Sequence, residues 1–374
     1  MPAPRRVLGS LAAAALLTGC MLTPPAPPAP AGASETASPA VSPSSATPPP
    51  TAAEAPTATP APTATEAPLR LTVMTYNILT GRNDCAGCRA LKAAGRGDEL
   101  ALETRLPVAA RKIELAAPDL LGLQENEGPG RLPQQHLADL LDGYEWAEPQ
   151  SSVPIAVRSD RFRIAESGVT ELEEGGQSCR AGDRTDGRYV VWARLTEAAT
   201  GRGLWVFNTH LHPYDTAACA RARAENLDRL VSVIEQRNPG GRLPQLVTGD
   251  FNAFGDERRR GFDQHLTAMA GLGLVDSHQV AEVDTSDIAG AASAGWMTAE
   301  VAGRERLGVV RRGGRYLDYV WVPQGSRVES WQVLSGPGVA YRRISGERVP
   351  VWTGVMASDH SPVVATLVLP DAGD

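Results

Sequence analysis

The chain has 374 residues, 42% of them hydrophobic, and a formal net charge of −7. This length allows one large domain or two ordinary ones, and the composition is that of a globular protein. The mild acidity excludes the chain-wide basic field that marks many nucleic-acid-binding proteins. It does not exclude nucleic acid as a substrate, because metal ions or local arginines can bind phosphates.

The first 19 residues are typical of a bacterial lipoprotein signal peptide. Arg5 and Arg6 give a positive start, Val7–Leu17 is a short apolar run, and Leu17-Thr-Gly-Cys20 is similar to a lipoprotein box. The run is too short for a good transmembrane helix. We expect Cys20 to be lipidated, so that the exported protein is held on the cell membrane or the outer membrane. The alternative is an ordinary cleaved signal peptide with an incidental cysteine.

Residues 20–68 form a second segment that is rich in proline, alanine and threonine and nearly free of large apolar side chains. Such a segment cannot bury enough surface to offset the entropy lost on ordering, and its prolines favour extended conformations. We therefore expect a disordered tether over residues 20–68, followed by a single catalytic domain over residues 69–374.

From residue 69 onward, apolar strands alternate with amphipathic helices. In chain order the sequence predicts strand 69–77, helix 99–116, strand 120–125, helix 132–141, strands 154–157, 189–195 and 203–210, helix 222–236, strand 245–250, helix 261–269, and strands 316–322 and 361–369. Several neighbouring strands have no helix between them. This pattern favours an α/β protein with mixed sheets and outer helices over a purely parallel sheet.

Polar residues able to bind a metal or transfer a proton repeatedly stand where these strands end or begin. Four of them end strands and two precede the last strand: Asn77, Glu125, His210, Asp250, and then Asp359 and His360. Any one of them alone could be a turn former or a solvated loop residue. Because sites in open α/β sheets form where strand ends meet, the repetition predicts one shared site.

The residue types indicate which chemistry such a site would support. Asn77 and Glu125 offer hard oxygen ligands, which suit Mg²⁺, with Mn²⁺ or Ca²⁺ as alternatives. In Gly249-Asp250-Phe-Asn252, the carboxylate can orient or deprotonate a water, and the amide can donate to a phosphoryl oxygen.

Two histidine patterns carry further predictions. Asp359 precedes His360, and a carboxylate near an imidazole raises its basicity and fixes its tautomer. His210 and His212 are two residues apart, which in an extended strand places them on one face. That spacing also occurs in zinc hydrolases of the HxHxDH type, but the final histidine is missing here. His212 is alternatively a loop residue before Pro213.

Four cysteines follow Cys20, an even number that suggests two disulfides in an exported chain. Cys85 and Cys88 have CxxC spacing, which is also found in redox and zinc pairs. A four-cysteine zinc site usually needs a second close pair, and Cys179 and Cys219 are far apart in sequence. Of the three possible connectivities, we predict Cys85–Cys88 with Cys179–Cys219.

Six short motifs in order make the sequence similar to a known family. They are Thr75-Tyr-Asn77, Leu123-Gln-Glu125, Asn208-Thr-His210-Leu, Gly249-Asp250-Phe-Asn252, Leu317-Asp318-Tyr and Ser358-Asp359-His360-Ser-Pro. Together they resemble the endonuclease/exonuclease/phosphatase superfamily, which includes deoxyribonuclease I-like nucleases, neutral sphingomyelinases and inositol polyphosphate 5-phosphatases. Single motifs are weak, but the ordered set is specific and spans nearly all of residues 69–369.

The resemblance implies a four-layer sandwich, with two mixed β-sheets face to face, helices outside and the site at one end. It further implies a metal-dependent phosphodiesterase or phosphatase that uses an activated water. By motif, the metal ligands are Asn77 and Glu125, with Asp359 beside them.

The resemblance also implies a role for each catalytic group. Asp250 orients the attacking water, and Asn252 helps to hold the phosphate. His210 contacts the phosphate or the leaving group. Asp359 positions His360, which acts in proton transfer or stabilises the transition state. Asp318 stands in a family-like run and is expected to support the site.

The substrate class stays open at this stage, because the same fold hydrolyses nucleic acid, phospholipid head groups and sugar phosphates. We expect a phosphate-ester substrate, a lipid-tethered monomer and an extracytoplasmic catalytic domain. A more specific alternative is a secreted nuclease acting on DNA or RNA. An alternative of another class is a surface binding protein that has kept the fold and lost activity.

Overall fold

A computed structural model describes residues 68–370, apart from 84, 178, 180–183, 186, 215, 255–262, 289–290, 297–307, 313–315 and 337. The signal peptide, Cys20 and nearly all of the tether lie outside the described residues. The chain divides into two units, residues 1–63 and 64–374, and every described residue belongs to the second. Among the described residues, no helix combines the length and apolar character needed to cross a membrane.

The described strands have two to 12 residues and are numbered in chain order. They are β1 Arg70–Asn77, β2 Leu120–Gln124, β3 Tyr144–Ala147, β4 Ile155–Arg158, β5 Phe162–Glu173, β6 Gly176–Gln177, β7 Arg184–Thr185, β8 Arg188–Glu197, β9 Gly203–His210, β10 Gln245–Asp250, β11 Leu274–Asp276, β12 Ala291–Trp296, β13 Val310–Arg312, β14 Asp318–Pro323, β15 Arg327–Val333, β16 Val339–Ile344, β17 Glu347–Trp352 and β18 Val363–Val368.

The helices are α1 Ala86–Ala93, α2 Leu102–Ala116, α3 Pro133–Leu140, α4 Ala217–Arg237, α5 Gln264–Gly271 and α6 Ser277–Val280. Short 3₁₀ turns cover Gly97–Leu100 and Pro239–Gly241. Helix α4 begins at a Thr216 cap, whose hydroxyl accepts a hydrogen bond from the Cys219 amide at 3.1 Å. The predicted helix start at residue 99 was wrong, because Ala101 has extended dihedrals (φ −60°, ψ 139°) that separate the 3₁₀ turn from α2.

Two six-stranded sheets form the body of the domain. The first has the order β15-β18-β1-β2-β4-β3 and the second β11-β14-β10-β9-β8-β5. Within them β1 pairs with β2, and β9 with β10, in parallel, whereas the other pairs are antiparallel. The sheets are therefore mixed, as the sequence predicted.

Helices cover the outer faces of both sheets. Met74 and Tyr76 of β1 pack with Leu106 and Ile113 of α2 in one buried cluster. On the second sheet, Leu227 and Leu230 of α4 belong to the large core cluster, and the Arg237 guanidinium lies 3.7 Å from the ring centre of Trp192. The four-layer sandwich expected from the sequence is confirmed.

A buried polar cluster joins the two sheets at the middle of the sandwich. Gln124 donates to the Thr75 hydroxyl at 3.0 Å and to the Asn208 side-chain oxygen at 2.8 Å, and the Thr248 hydroxyl lies 3.1 Å from that oxygen. The Asn208 amide nitrogen donates to the Leu123 carbonyl at 2.6 Å. We call Thr75, Gln124, Asn208 and Thr248 the inter-sheet network.

Gly122 of β2 makes this network possible. A Cβ atom at this position would lie 2.3 Å from the Thr248 hydroxyl and 2.6 Å from the Asn208 side-chain oxygen. Those distances are shorter than any side-chain carbon tolerates, so only glycine lets the facing strand approach this closely.

The structure joins the four cysteines as Cys85–Cys88 and Cys179–Cys219. The first bridge spans the beginning of α1, where the Cys85 sulfur also accepts a hydrogen bond from the Cys88 amide. The second ties the segment after β6 to the first turn of α4. This is the connectivity predicted from the sequence.

Candidate functional site

The predicted site residues converge at one end of the sandwich. Asp250, at the end of β10, is in register with His210 at the end of β9 and with Asp318 at the start of β14. In the first sheet, Asn77 at the end of β1 is in register with Gln124, the residue before Glu125. Parallel strands end together, so the sheet topology itself gathers these side chains.

Asn77 links two of the carboxylates. Its amide nitrogen donates to Glu125 Oε1 and to Asp250 Oδ2, at 3.0 Å each. Its side-chain oxygen accepts a hydrogen bond from the Leu79 amide at 3.1 Å. Asn77 therefore aligns Glu125 beside Asp250 in this structure, and its role as a metal ligand stays a prediction.

Two of the site residues hold backbone conformations that side chains usually avoid. Glu125 has φ +61° and Asn252 has φ +48°, each just past the end of a strand. Glu125 is fixed there by the Thr80 amide, which donates to Oε2 at 2.8 Å. Asn252 is fixed by its own amide, which donates to Asp250 Oδ1 at 2.9 Å. Strain of this kind persists where the surroundings enforce it, and functional sites are common examples.

His360 is oriented by Asp318 and not by its neighbour Asp359. The His360 Nδ1 atom lies 2.8 Å from Asp318 Oδ2, and its Nε2 atom lies 3.7 Å from Asp250 Oδ2. The expectation that Asp359 positions His360 is therefore wrong. Asp359 acts on His360 through its charge, and this effect is smaller than those of Asp318 and Asp250.

The row of contacts from Asp318 through His360 to Asp250 determines the protonation states of His360 and Asp250. Burial lowers the pKa of His360, but the carboxylates of Asp318 and Asp250 outweigh burial and raise it well above its ordinary value. Burial and the charge of Asp318 raise the pKa of Asp250 to about 7. The imidazole is thus cationic near neutral pH, while Asp250 titrates there.

His210 lies on the other side of Asp250 and has the opposite electrostatic character. Its Nε2 atom is 3.0 Å from the Asn252 amide nitrogen and 3.6 Å from Asp250 Oδ2. Burial, followed by the charge of Arg188, lowers the pKa of His210 well below its ordinary value. A neutral His210 accepts the hydrogen bond that Asn252 donates.

Glu125 and Asp359 form the part of the site best suited to a cation. Burial raises the pKa of Asp359 to about 6; the His360 charge opposes this shift and the Glu125 charge adds to it. Two carboxylates that repel each other, both with hard oxygen donors, match the preference of Mg²⁺ and similar ions. The ligand atoms of Asp250, Asp318 and His360 also lie within 4.8 Å of one another, but there the imidazolium already balances the carboxylates.

His212 does not belong to this site. Strand β9 ends at His210, and the chain then turns, so the two histidines do not share a strand face. His212 Nδ1 lies 3.2 Å from the Cys179 sulfur, and Nε2 lies 3.4 Å from Glu173 Oε1. The zinc alternative built on His210 and His212 together has no support in this geometry.

The sequence reasoning missed two arginines near the site. Arg105 is fully buried in α2 and donates to the carbonyls of Ile78, Leu79 and Ala357, which ties the loop after β1 to the segment before His360. Arg188 opens β8, and its charge acts on Glu127, Glu125 and Asp250. The signal for Arg105 was its place beside Leu106 on the apolar side of a helix.

Comparisons with known proteins agree with this architecture. The sequence profile described as "Endonuclease/Exonuclease/phosphatase family" matches residues 74–360. An endonuclease/exonuclease/phosphatase family protein from Bacteroides thetaiotaomicron is similar in structure, with a TM-score of 0.58 and 20% identity over 82% of this chain and 100% of that one. No curated protein sequence gives a significant match.

Two further solved structures are similar at the level of the fold. A mannosyl-6-phosphatase from Bacteroides thetaiotaomicron has a TM-score of 0.56 and 20% identity, covering 80% of this chain and 100% of its own. An endonuclease/exonuclease/phosphatase from Bacteroides vulgatus has a TM-score of 0.53 and 18% identity, covering 81% and 100%.

Proposed function

This chain belongs to the endonuclease/exonuclease/phosphatase family, and we propose that it is an exported, metal-dependent phosphoesterase that hydrolyses its substrate with an activated water. The observation that carries this proposal is the constellation of Asp318, His360, Asp250, Asn77 and Glu125, linked by contacts of 2.8–3.7 Å. A phosphate ester resists attack because its oxygens repel the nucleophile, and this site supplies a base, proton donors and a place for a cation.

Asp250 is the proposed base. A carboxyl group whose pKa is about 7 is half-ionised near neutral pH, where it can both hold a water and accept its proton. The hydrogen bonds from Asn77 and from the Asn252 amide fix its two oxygens, so the water is held in one direction. That direction sets an in-line approach to phosphorus.

His360 and Asn252 are the proposed partners of the phosphoryl group. The cationic His360 ring stabilises the charge that grows on the phosphoryl oxygens and can donate a proton to the leaving oxygen. Asp318 keeps the ring in place and supports its charge. The Asn252 amide nitrogen gives its two hydrogens to His210 and to the Leu211 carbonyl in this structure, so donation to a phosphoryl oxygen would replace one of these two bonds.

Glu125 and Asp359 are the proposed metal ligands, and Asn77 aligns Glu125 beside Asp250. A bound divalent cation neutralises phosphate charge, and Mg²⁺ suits these oxygen donors, with Mn²⁺ or Ca²⁺ as alternatives. Arg105 stabilises this arrangement, because it donates hydrogen bonds to the backbone carbonyls of Ile78, after β1, and of Ala357, before His360.

We further propose export and lipid anchoring at Cys20, from the signal-like first 19 residues. The catalytic unit would then act outside the cytoplasm, tethered by residues 20–68 and working as a monomer. Replacement of Cys20 with Ser should release the protein from membranes. Unchanged membrane fractionation and an unchanged mass would contradict lipidation.

An activity screen of the full-length protein tests the proposed function. DNA, RNA, sphingomyelin, phosphoinositides and bis(p-nitrophenyl) phosphate are each assayed with Mg²⁺ and with a chelator. We expect metal-dependent hydrolysis of at least one of them. Tight binding of a phosphate ester without turnover, under all metal conditions, would instead support a surface binding protein of the same fold.

A further inference from the structure

A cavity of about 470 Å³ lies beside the proposed metal-binding corner. It is placed between the β2–α3 loop, the β3–β4 loop and the β5–β8 edge of the second sheet. Its wall includes Asn126 and Glu127, which directly follow Glu125 in the chain, and Tyr189, which directly follows Arg188. Thr80 links the two, because its amide donates to Glu125 Oε2 at 2.8 Å and its hydroxyl donates to the Glu127 carbonyl at 3.1 Å.

Hydrogen bonds within the protein hold the loops that line this cavity in place. The Asn126 amide nitrogen donates to the Pro149 carbonyl at 3.0 Å and to the Ser151 carbonyl at 2.8 Å, and its oxygen accepts from the Gln134 amide at 2.8 Å. Glu148 accepts a hydrogen bond from the Ser167 hydroxyl at 2.8 Å. Loops fixed in this way lose little entropy when a small molecule binds.

Arg188 connects the cavity with the reaction centre. Its charge acts on Glu127 in the cavity wall and on Glu125 and Asp250 in the site. Its Nε atom is buried and has no hydrogen-bond partner among the described residues. A buried arginine donor without a partner is suited to a phosphoryl oxygen, which would complete its hydrogen bonds.

The cavity itself suits an uncharged group with many hydroxyls. Gln150, Ser151 and Ser152 offer both donors and acceptors, and Glu148 accepts only. The apolar faces of Val169 and Leu132 can pack against ring carbons. Among charged side chains, Glu127 and Glu148 outnumber Arg82, which already pairs with Glu127 at 3.7 Å. This balance opposes a second phosphate and therefore a nucleic acid backbone.

We propose, resting on the phosphoesterase function above, that this cavity binds the alcohol part of the substrate and takes a single uncharged polyol ring. The substrate class is then a sugar monophosphate or a related cyclic polyol monophosphate. The phosphoryl group lies at Arg188 and the metal corner, and the ring lies against Val169 and Tyr189. The volume fits one such ring with its hydroxyls and is too small for a duplex.

The test compares substrates and one cavity-filling variant in the full-length protein with Mg²⁺. The substrates are a set of hexose 6-phosphates, myo-inositol 1-phosphate, the dinucleotide TpT and p-nitrophenyl phosphate, whose activated leaving group needs no subsite. Val169 is 43% exposed, so Val169→Trp fills the cavity without disturbing the core. Val283→Trp is the matched control. Val283 is 54% exposed and lies beside β15, the edge strand of the first sheet that is opposite to β3 and its loop to β4.

We expect the wild type to prefer a polyol monophosphate to TpT. In Val169→Trp, the ratio of kcat/KM for that substrate to kcat/KM for p-nitrophenyl phosphate should fall at least about tenfold, mainly through KM, because a filled subsite removes binding of the ring. Val283→Trp should leave the ratio unchanged. Glu148→Gln, which keeps the shape but loses a charged acceptor, should lower the ratio severalfold.

Two results would overturn the inference while the phosphoesterase stands. One is a wild-type preference for TpT over every polyol phosphate. The other is an unchanged substrate ratio in Val169→Trp. Hydrolysis confined to the phosphate esters of the wider screen above has the same meaning as the first result. Failure to hydrolyse any substrate of either set, with folded protein and Mg²⁺ present, would instead refute the proposed function on which the inference rests.

Discussion

Two polar clusters lie between the sheets, and they differ in the charge that they bury. The inter-sheet network of Thr75, Gln124, Asn208 and Thr248 is uncharged, fully buried and closed by contacts of 2.6–3.1 Å. The site at the strand ends has Glu125, Asp250, Asp318 and Asp359 close together, with one imidazolium among them. Both clusters are reached along the same strands.

This difference indicates that the inter-sheet network contributes to folding stability and that the site at the strand ends contributes to catalysis. The neutral network fixes how the sheets meet, and each lost partner leaves a further buried group unpaired, beside the Gln124 side-chain oxygen that has no hydrogen-bond partner among the described residues. Several buried carboxylates close together destabilise the fold, and the raised pKa values of Asp250 and Asp359 are the sign of this cost. Such a group of charges is explained by a role in binding a cation and a phosphate ester. Substitutions in the two clusters should therefore have opposite consequences.

The largest effect is expected from the catalytic groups of the site. Asp250→Asn removes the base and His360→Ala removes the cationic ring, so each should lower kcat by about 10²–10⁴-fold or more. Folding should survive in both. Asp228→Asn and His136→Ala, on the surface of α4 and on α3, are the matched controls. Full activity in both folded site variants would refute the assignment.

The inter-sheet network should respond in the opposite way. Asn208→Leu removes a donor from the carbonyls of Leu123, Val153 and Pro154, of which Pro154 keeps the Leu123 amide, so the free energy of unfolding should fall by about 2 kcal/mol or more. Gly122→Ala should lower it by a similar amount, because its Cβ meets the Thr248 hydroxyl at 2.3 Å. Urea unfolding followed by tryptophan fluorescence measures both. Unchanged midpoints would show that the network does not hold the sheets together.

A pH dependence of stability should mark the site and not the network. The pKa of Asp250 is about 7 in the folded chain, above its ordinary value of 3.8, so the folded state keeps a proton that the unfolded state releases. In the chelated protein this contribution is fully present below pH 3.8 and is lost as pH rises to about 7. Asp250→Asn should therefore gain stability relative to the wild type across that range. A parallel pair of stability curves would contradict the raised pKa.

The smallest effect is expected at His212, which contacts the Cys179 sulfur and Glu173 instead of the site. His212→Ala should change kcat by less than about threefold, whereas His210→Ala, which removes the acceptor for Asn252, should lower it by about 10²-fold. Steady-state kinetics on the same substrate compares the two variants. Loss of activity in His212→Ala alone, with zinc in the purified protein, would restore the zinc alternative.

Much of the site could be predicted because its residues follow apolar strands directly. Each of the four residues ends a strand or directly follows one, and the change from an apolar run to a polar residue is visible in the sequence: Asn77, Glu125, His210 and Asp250. The partner of His360 was not visible, because Asp318 is 42 residues away and only the pairing of β14 with β10 brings it close. Adjacency in sequence favoured Asp359, whereas the structure places Asp318 at hydrogen-bond distance from the ring.

The four layers of the sandwich could be predicted from the sequence, whereas the small hairpin outside the two main sheets and one buried arginine could not. The hairpin β16–β17 was missed, although Ser345 and Gly346 both have positive φ in a two-residue turn, a combination typical of such hairpins. Arg105 was missed because an arginine in a helix usually faces water. Only the backbone carbonyls of the loop after β1 explain why this one is buried.

The central claim is that Glu125 binds the metal ion, whereas Asp250 orients and deprotonates the attacking water. A Mg²⁺ titration of the chelated protein, with the initial rate of hydrolysis as the readout, tests this division most directly in the wild type, Glu125→Gln and Asp250→Asn. Mg²⁺ should restore the wild type, Glu125→Gln should need at least about tenfold more Mg²⁺ for half-maximal rate, and Asp250→Asn should have a low maximal rate at any Mg²⁺ concentration. Full activity in the chelator, or a normal Mg²⁺ requirement in Glu125→Gln, would contradict the claim.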